Sequence, residues 1–290
     1  MELPTFGRHR PMNHKLSTHS PDVILTEDLL ARESTDRLFI EARLGEPEEE
    51  LQRYKEGHIV GAVYAQIRDV FAGAQTSHTG SLPLPELSGL ERGLLGWGVG
   101  SKTEIVVYGP TLAHAARGWW TLRWAGLKYV RVLDGGLRAW VEQGGAVAQG
   151  AAAPRVPTTE RLNLRGGILP QIDVDAVEAL EASTLKIDAR EEAFYLAGHL
   201  PGAINVPASE LWTPSGRFRT TAQLQELYGR TGVKGRDDVV VYCGGGVLSA
   251  LHVLVLRSIG IEAQLYVGSW SEWSKSSERL ARSSVAGVAV

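Results

Sequence analysis

A single cysteine, Cys243, stands among the 290 residues of the chain. One thiol cannot build an internal disulfide framework, a Cys-x-x-Cys redox pair or a cysteine-based zinc cage, and it fits a reducing compartment, so the cytoplasm is the expected location. Positive charge is also scarce: 30 Lys and Arg against 33 Asp and Glu leave a net charge of −3. Without a broad basic field, neither nucleic acid nor a membrane surface is an expected partner, and an anionic substrate must be held by local groups. No stretch approaches the roughly 18 apolar residues that cross a bilayer. The histidines are scattered without the spacing of metal ligands, so no metal is expected. The opening residues, "MELPTFGRHRPMNHKLSTHS", are polar and proline-broken and lack the apolar stretch of a signal peptide. Residues 1–21 therefore read as a flexible tail.

What is present occurs twice, in one order. In the first half "FIEAR", ending at Arg43, precedes "EGHIVGAVYAQ" (56–66), "TEIVVYG" (103–109) and "AARGWWTLRWAGLKYVRVLDGGLRAW" (115–140). In the second, "KIDAR", ending at Arg190, precedes "AGHLPGAINVP" (197–207), "DDVVVYC" (237–243) and "SALHVLVLRSIGIEAQLYVGSWSEW" (249–273). Four landmarks in the same order point to duplication. The expected division is two similar domains over 22–145 and 168–290, joined by a linker over 146–167 that is rich in Gly, Ala and Pro and has no apolar period.

Within each copy short β-branched runs alternate with helical patterns. "LKID", "AINV", "VVVY" and "AQLYV" read as strands; "TTAQLQELYGRTG" and "SALHVLVLRSIG" read as helices, with Gly232 and Gly260 where they stop. Apolar runs without polar alternation are buried on both faces, so the fold class is α/β, with a parallel sheet between helices in each copy.

The cysteine ends the run "VVVY" and precedes Gly244, Gly245 and Gly246. That places it at the carboxyl end of a central parallel strand, where such sheets bind ligands. Three glycines can turn successive amide N–H groups toward one point, and the helix that follows adds its positive end, an arrangement that favours thiolate. An unpaired cysteine ending an apolar strand is more often inert core. Core strands gain nothing from three glycines, whereas a loop that cradles an anion needs them. A cysteine phosphatase would place Arg where this chain has Ser249, so that chemistry is disfavoured. A cysteine–histidine hydrolase is left open by spacing, without specific support.

Together "DAR" with "GHLPGAINVP", "VVVYCGGGVLSA" and "YVGSWSEWS" resemble the two-domain members of the rhodanese family of sulfurtransferases. In the first copy "GHIVGAVY", "VVYG" and "LDGGLRAW" resemble the counterpart domain, and the likeness runs from about residue 22 onward. The resemblance implies two rhodanese-like domains, with Cys243 as nucleophile in a cleft shared between them. It implies attack on the outer sulfur of a small anionic donor, a persulfide, and transfer to cyanide or a thiol, with no metal or organic cofactor. The backbone amides of Gly244, Gly245, Gly246, Val247, Leu248 and Ser249 would bind substrate. In the first copy Gly109 takes the cysteine's place, leaving that domain to line the cleft. Thiosulfate is the expected donor. Departures from the family pattern leave the donor between thiosulfate and 3-mercaptopyruvate: Gly244 and Gly245 stand where thiosulfate users often carry basic residues, a neutral loop more like the mercaptopyruvate-using branch, yet Leu248 replaces that branch's usual threonine with the hydroxyl of Ser249 one place later, and "EEAFYLA" lacks the second arginine that many members use on the substrate carboxylate. A non-catalytic sulfur-carrier module is the remaining alternative.

Asp188 and Arg190 lie at the end of "LKID", at the same sheet edge. Either Arg190 attracts the donor while Asp188 orients it, or the two form an ion pair that fixes the turn. His58 and His199 sit in paired "GH" motifs, one of which has no cysteine to serve, so a shared bond to backbone is expected of both. The tryptophans of "RGWWTLRW" are read as core or interdomain packing, Trp270 and Trp273 as packing at the second domain's edge, and "EPEEE" (46–50) as a solvated turn.

Overall fold

The computed structural model describes residues 20–32, 34, 36–236 and 238–283; of the expected tail, 1–19 lie outside that set. In the first half β1 (Val23–Ile24), β2 (Arg37–Arg43), β3 (Val63–Gln66), β4 (Glu104–Tyr108) and β5 (Val130–Leu133) form one sheet in the order β1-β5-β4-β2-β3. In the second, β6 (Gln171–Ile172), β7 (Leu185–Asp188), β8 (Ala203–Asn205), β9 (Val239–Tyr242) and β10 (Gln264–Tyr266) form another in the order β6-β10-β9-β7-β8. Every pairing in both is parallel. Counted within its own half, each strand has the same neighbours, so the duplication read in the sequence is a duplication of topology. The central runs "VVY" and "VVVY" are fully buried, as a sheet covered on both faces requires.

Two helices tie the halves together. α1 (Leu112–Trp124) follows β4, α2 (Leu248–Ser258) follows β9, and the two pack against each other. α2 stops at Gly260, whose φ of +82° is the left-handed cap expected there. Trp119 and Trp120 on α1 are wholly buried, in an apolar cluster that runs on through Val241 and Leu254 of the second half. Separating the halves would expose that shared core. No helix among the described residues is long and apolar enough to cross a membrane.

The repeat extends to side chains. Tyr54 stacks on His58 with ring centroids 4.1 Å apart, and Tyr195 on His199 at 3.8 Å. Each histidine holds the carbonyl of its stacking tyrosine through Nδ1, at 3.1 and 2.9 Å. Next to them the Ile59 amide donates to Tyr108 Oη at 3.0 Å and the Leu200 amide to Tyr242 Oη at 3.1 Å. Both histidines are thus turn-fixing groups, with or without a thiol nearby.

One local expectation differs from the structure. "EPEEE" opens a helix over Pro47–Glu56, because proline suits the first helical position and acidic side chains favour the positive end. Glu50 is buried there and accepts from Arg43 at 2.9 Å. Within the expected linker Val147–Ala148 pairs antiparallel with His58–Ile59. Farther along, Arg155 Nε donates to the carbonyl of Trp97 at 2.6 Å and the Arg165 amide to that of Ala125 at 3.0 Å, so the segment is pinned along the first half.

Candidate active site

The strand β9 ends at Tyr242, level with Asp188 of β7, and Cys243 is the next residue. Its side chain is only 2% exposed. Burial alone would suit an inert core thiol, but the sulfur has polar company. The Gly246 amide donates to Sγ at 3.1 Å and the Ser249 hydroxyl at 3.4 Å, with Ser269 Oγ 4.0 Å away. An N–H and an O–H aimed at one sulfur stabilise negative charge on it.

The cradle is sparser than a full ring of amides. Of the six residues from Gly244 to Ser249, Gly246 supplies the amide that reaches the sulfur, and among the three glycines it alone has positive φ, at +82°. The rest of the loop is drawn toward the second domain's last turn. The Trp270 amide donates to the Cys243 carbonyl at 2.9 Å and the Ser271 amide to that of Gly244 at 3.0 Å, both from α3 (Ser269–Trp273). Val247 and Leu248 are half-buried and pack on the core as α2 begins. Ser269, itself at φ +54° and wholly buried, accepts the Cys243 amide at 3.1 Å and donates to the Tyr266 carbonyl at 2.8 Å.

Asp188 and Arg190 are brought to the same edge and hold each other. Arg190 Nε donates to both Asp188 oxygens at 3.0 and 3.1 Å, and Nη2 to Asp188 Oδ2 and to the Gly198 carbonyl, each at 2.6 Å. The guanidinium also lies 4.7 Å from the Trp270 ring. Charge and hydrogen bonds from Asp188 keep Arg190 firmly protonated against the opposing pull of burial.

The first domain closes over the loop. The Ser81 amide donates to Ser271 Oγ at 2.8 Å, and Lys275 Nζ donates to the carbonyls of Thr76 and Thr79 at 2.8 and 2.6 Å. From α1, Arg117 reaches across to the Gly246 carbonyl with Nη1 at 3.2 Å. The sequence reading passed over both Arg117 and Ser269. Arg117 had one visible signal, a charge set inside the otherwise apolar helical stretch "AARGWW". In the first domain the equivalent strand end carries Gly109, beside an open cavity of about 320 Å³ lined by Glu41, Arg43 and, from the second domain, Trp212, Pro214, Ser215 and Gly216. That cavity has the counterpart ion pair but no thiol.

The rhodanese-like domain pattern matches this chain twice, over residues 25–143 and 174–276. The chain belongs to the rhodanese family. A Mycobacterium tuberculosis protein provisionally named thiosulfate sulfurtransferase SseB is 35% identical over 254 residues, covering 83% of this chain and 88% of that protein. The 3-mercaptopyruvate sulfurtransferase of Escherichia coli K12 is 33% identical over 258 residues, covering 81% and 88%. The crystal structure of SseA from Escherichia coli, titled as a 3-mercaptopyruvate sulfotransferase of the rhodanese fold, superposes with a TM-score of 0.73 at 30% identity, covering 86% of this chain and 99% of that one. These rhodanese relatives support sulfurtransferase activity and leave the donor open between thiosulfate and 3-mercaptopyruvate.

Proposed function

We propose that the chain takes a sulfane sulfur from thiosulfate onto Cys243 and passes it to a thiophilic acceptor, cyanide or a thiol. The Cys243 thiolate attacks the outer sulfur of thiosulfate, the S–S bond of the donor breaks, and sulfite leaves with the electron pair. Cyanide then attacks the terminal sulfur of the persulfide, thiocyanate departs, and the thiolate returns. Neither step needs a general base or a resident cofactor, so donors that stabilise anionic sulfur carry the catalysis. The observation that supports this most is the pair of donors, Gly246 N–H and Ser249 O–H, on the sulfur of the chain's one cysteine.

A second donor, 3-mercaptopyruvate, is favoured by one feature: the loop from Cys243 to Ser249 carries no basic side chain to meet a dianion. With that donor the C–S bond breaks, pyruvate leaves as its enolate, and the proton of the substrate thiol ends on carbon. Intact-mass measurement after incubation with each donor tests the proposal. The expected result is a gain of one sulfur atom with thiosulfate, removed by cyanide and absent in Cys243→Ser. A gain with 3-mercaptopyruvate alone transfers the assignment to that donor. No gain with either, in folded protein, overturns both.

A further inference from the structure

Arg117 is a buried cation with no carboxylate paired to it among the described residues. It lies midway along α1 in the domain that has no cysteine, and its side chain is completely shielded from solvent. Nη1 donates to the Gly246 carbonyl at 3.2 Å, and Nη2 to the carbonyls of Phe71 and Leu82 at 3.0 and 2.9 Å. Its Nε has no hydrogen-bond partner, and among the described residues no carboxylate pairs with it. A guanidinium taken out of water and left unpaired is strongly unfavourable, so something must offset its charge.

The other charged or titratable groups on the elements around the thiol do not supply that offset. Asp188 is spent on Arg190 at the end of β7. Glu272 on α3 stands among Tyr266, Arg279 and Lys275, and burial favours its neutral form. His252 on α2 is held neutral by complete burial. Lys275 is engaged with the carbonyls of Thr76 and Thr79. What remains is Cys243, whose negative charge favours protonated Arg117 while burial pulls the guanidinium down to about 10.

Gly246 links the two. Its amide faces the sulfur and its carbonyl faces Arg117. A Cβ at this position would stand 2.6 Å from Arg117 Nη1, on a backbone already at φ +82°. Residue 246 is glycine because the loop must turn there and the guanidinium occupies the space a side chain would take.

We propose that Arg117 is a positioning residue for sulfur transfer: its fork holds Gly246 with the amide on the Cys243 sulfur, and its charge is the counter-ion of the thiolate and the persulfide. The first domain then contributes to the chemistry, and not only to the walls of the cleft. This rests on Cys243 being the sulfur acceptor.

The test compares wild type, Arg117→Met and Arg117→Lys by the pH dependence of iodoacetamide alkylation, which reads Cys243 alone because the chain has one cysteine. Circular dichroism and kcat and KM with the preferred donor are measured beside it. Arg117→Met is expected to raise the alkylation midpoint by about one pH unit, slowing alkylation about tenfold below it. Arg117→Lys keeps the charge but cannot span three carbonyls; its midpoint is expected near wild type, with kcat down about tenfold and KM little changed. A folded Arg117→Met with wild-type midpoint and kcat overturns the proposal. If Arg117→Met does not fold, Arg117→Lys decides: loss of kcat supports positioning, and wild-type kcat overturns it. Alkylation that depends on Arg117 in a protein gaining no sulfur from either donor leaves the thiol's electrostatics standing and removes the sulfur-transfer reading instead.

Discussion

Asp188 and Arg190 grip each other: Arg190 Nε spans both carboxylate oxygens of Asp188, and Nη2 bonds Oδ2 at 2.6 Å. The first domain repeats the device with Glu41 and Arg43, joined at 2.6 Å, where no thiol exists. A duty common to both copies is to fix the turn after the strand, and donor binding by Arg190 is the alternative that the variants below separate from it. Asp188 is fully buried, and its removal would leave the Arg190 charge uncompensated. Asp188→Asn is therefore expected to cost about 3 kcal/mol in urea unfolding, with much of it regained in Asp188→Asn/Arg190→Met. Unchanged stability with a raised KM for thiosulfate would instead make Arg190 a donor ligand.

Ser249 Oγ lies 3.4 Å from the Cys243 sulfur and is wholly buried. Ser249→Ala removes that donor and almost no volume. A hydrogen bond to a charged group contributes about 1.5–3 kcal/mol, so first-step sulfur loading is expected to slow by about tenfold or more while the unfolding midpoint barely moves. Stopped-flow loading with thiosulfate checks this, and equal rates would remove the hydroxyl from the cradle.

The three glycines after the cysteine are not equivalent. At Gly244 a Cβ would meet nothing within 4 Å, and the residue is exposed. Gly244→Ala is expected to leave stability within about 0.5 kcal/mol and turnover near wild type. Gly246→Ala meets Arg117 Nη1 at 2.6 Å and the Val267 carbonyl at 2.8 Å, with φ at +82°. It is expected to cost about 1–3 kcal/mol and most of the turnover. Thermal unfolding and kcat on the two variants, side by side, separate a steric role from composition alone.

That contrast marks how far the sequence can be read. The α/β class, the duplication and the placing of Cys243 at a strand end follow from local signals: β-branched runs, paired "GH" turns and a glycine cluster. The His58 and His199 turns were legible because a repeat compares a site having a thiol with one lacking it. Arg117 was not, because its meaning depends on α1 packing against α2 across the interface. Nothing within a few residues of "ARGWW" says that Gly246 will lie opposite, 129 positions away. Ser269 was hidden for a similar reason: its hydroxyl meets the Cys243 amide only when β10 and α3 fold beside the loop.

His252 carries a pH dependence with a definite sign. It sits on α2, fully buried, with Nδ1 2.6 Å from Tyr228 Oη, and burial pushes its titration from the ordinary 6.5 down to about 3. Between those values the unfolded chain binds a proton that the folded chain refuses. Stability from this group is therefore complete above about pH 6.5 and falls as the pH drops, by about 1.4 kcal/mol per unit. At pH 5 the loss is about 2 kcal/mol relative to pH 7. His114, whose titration burial also lowers, adds to the slope in wild type, so the difference between variants is what isolates His252. His252→Gln does not titrate and is expected to lose about 2 kcal/mol less than wild type between pH 7 and pH 5, whatever it costs at neutral pH. Urea unfolding at both pH values measures the four midpoints. Equal losses in the two proteins would mean that the buried imidazole takes up its proton without unfolding the helix around it.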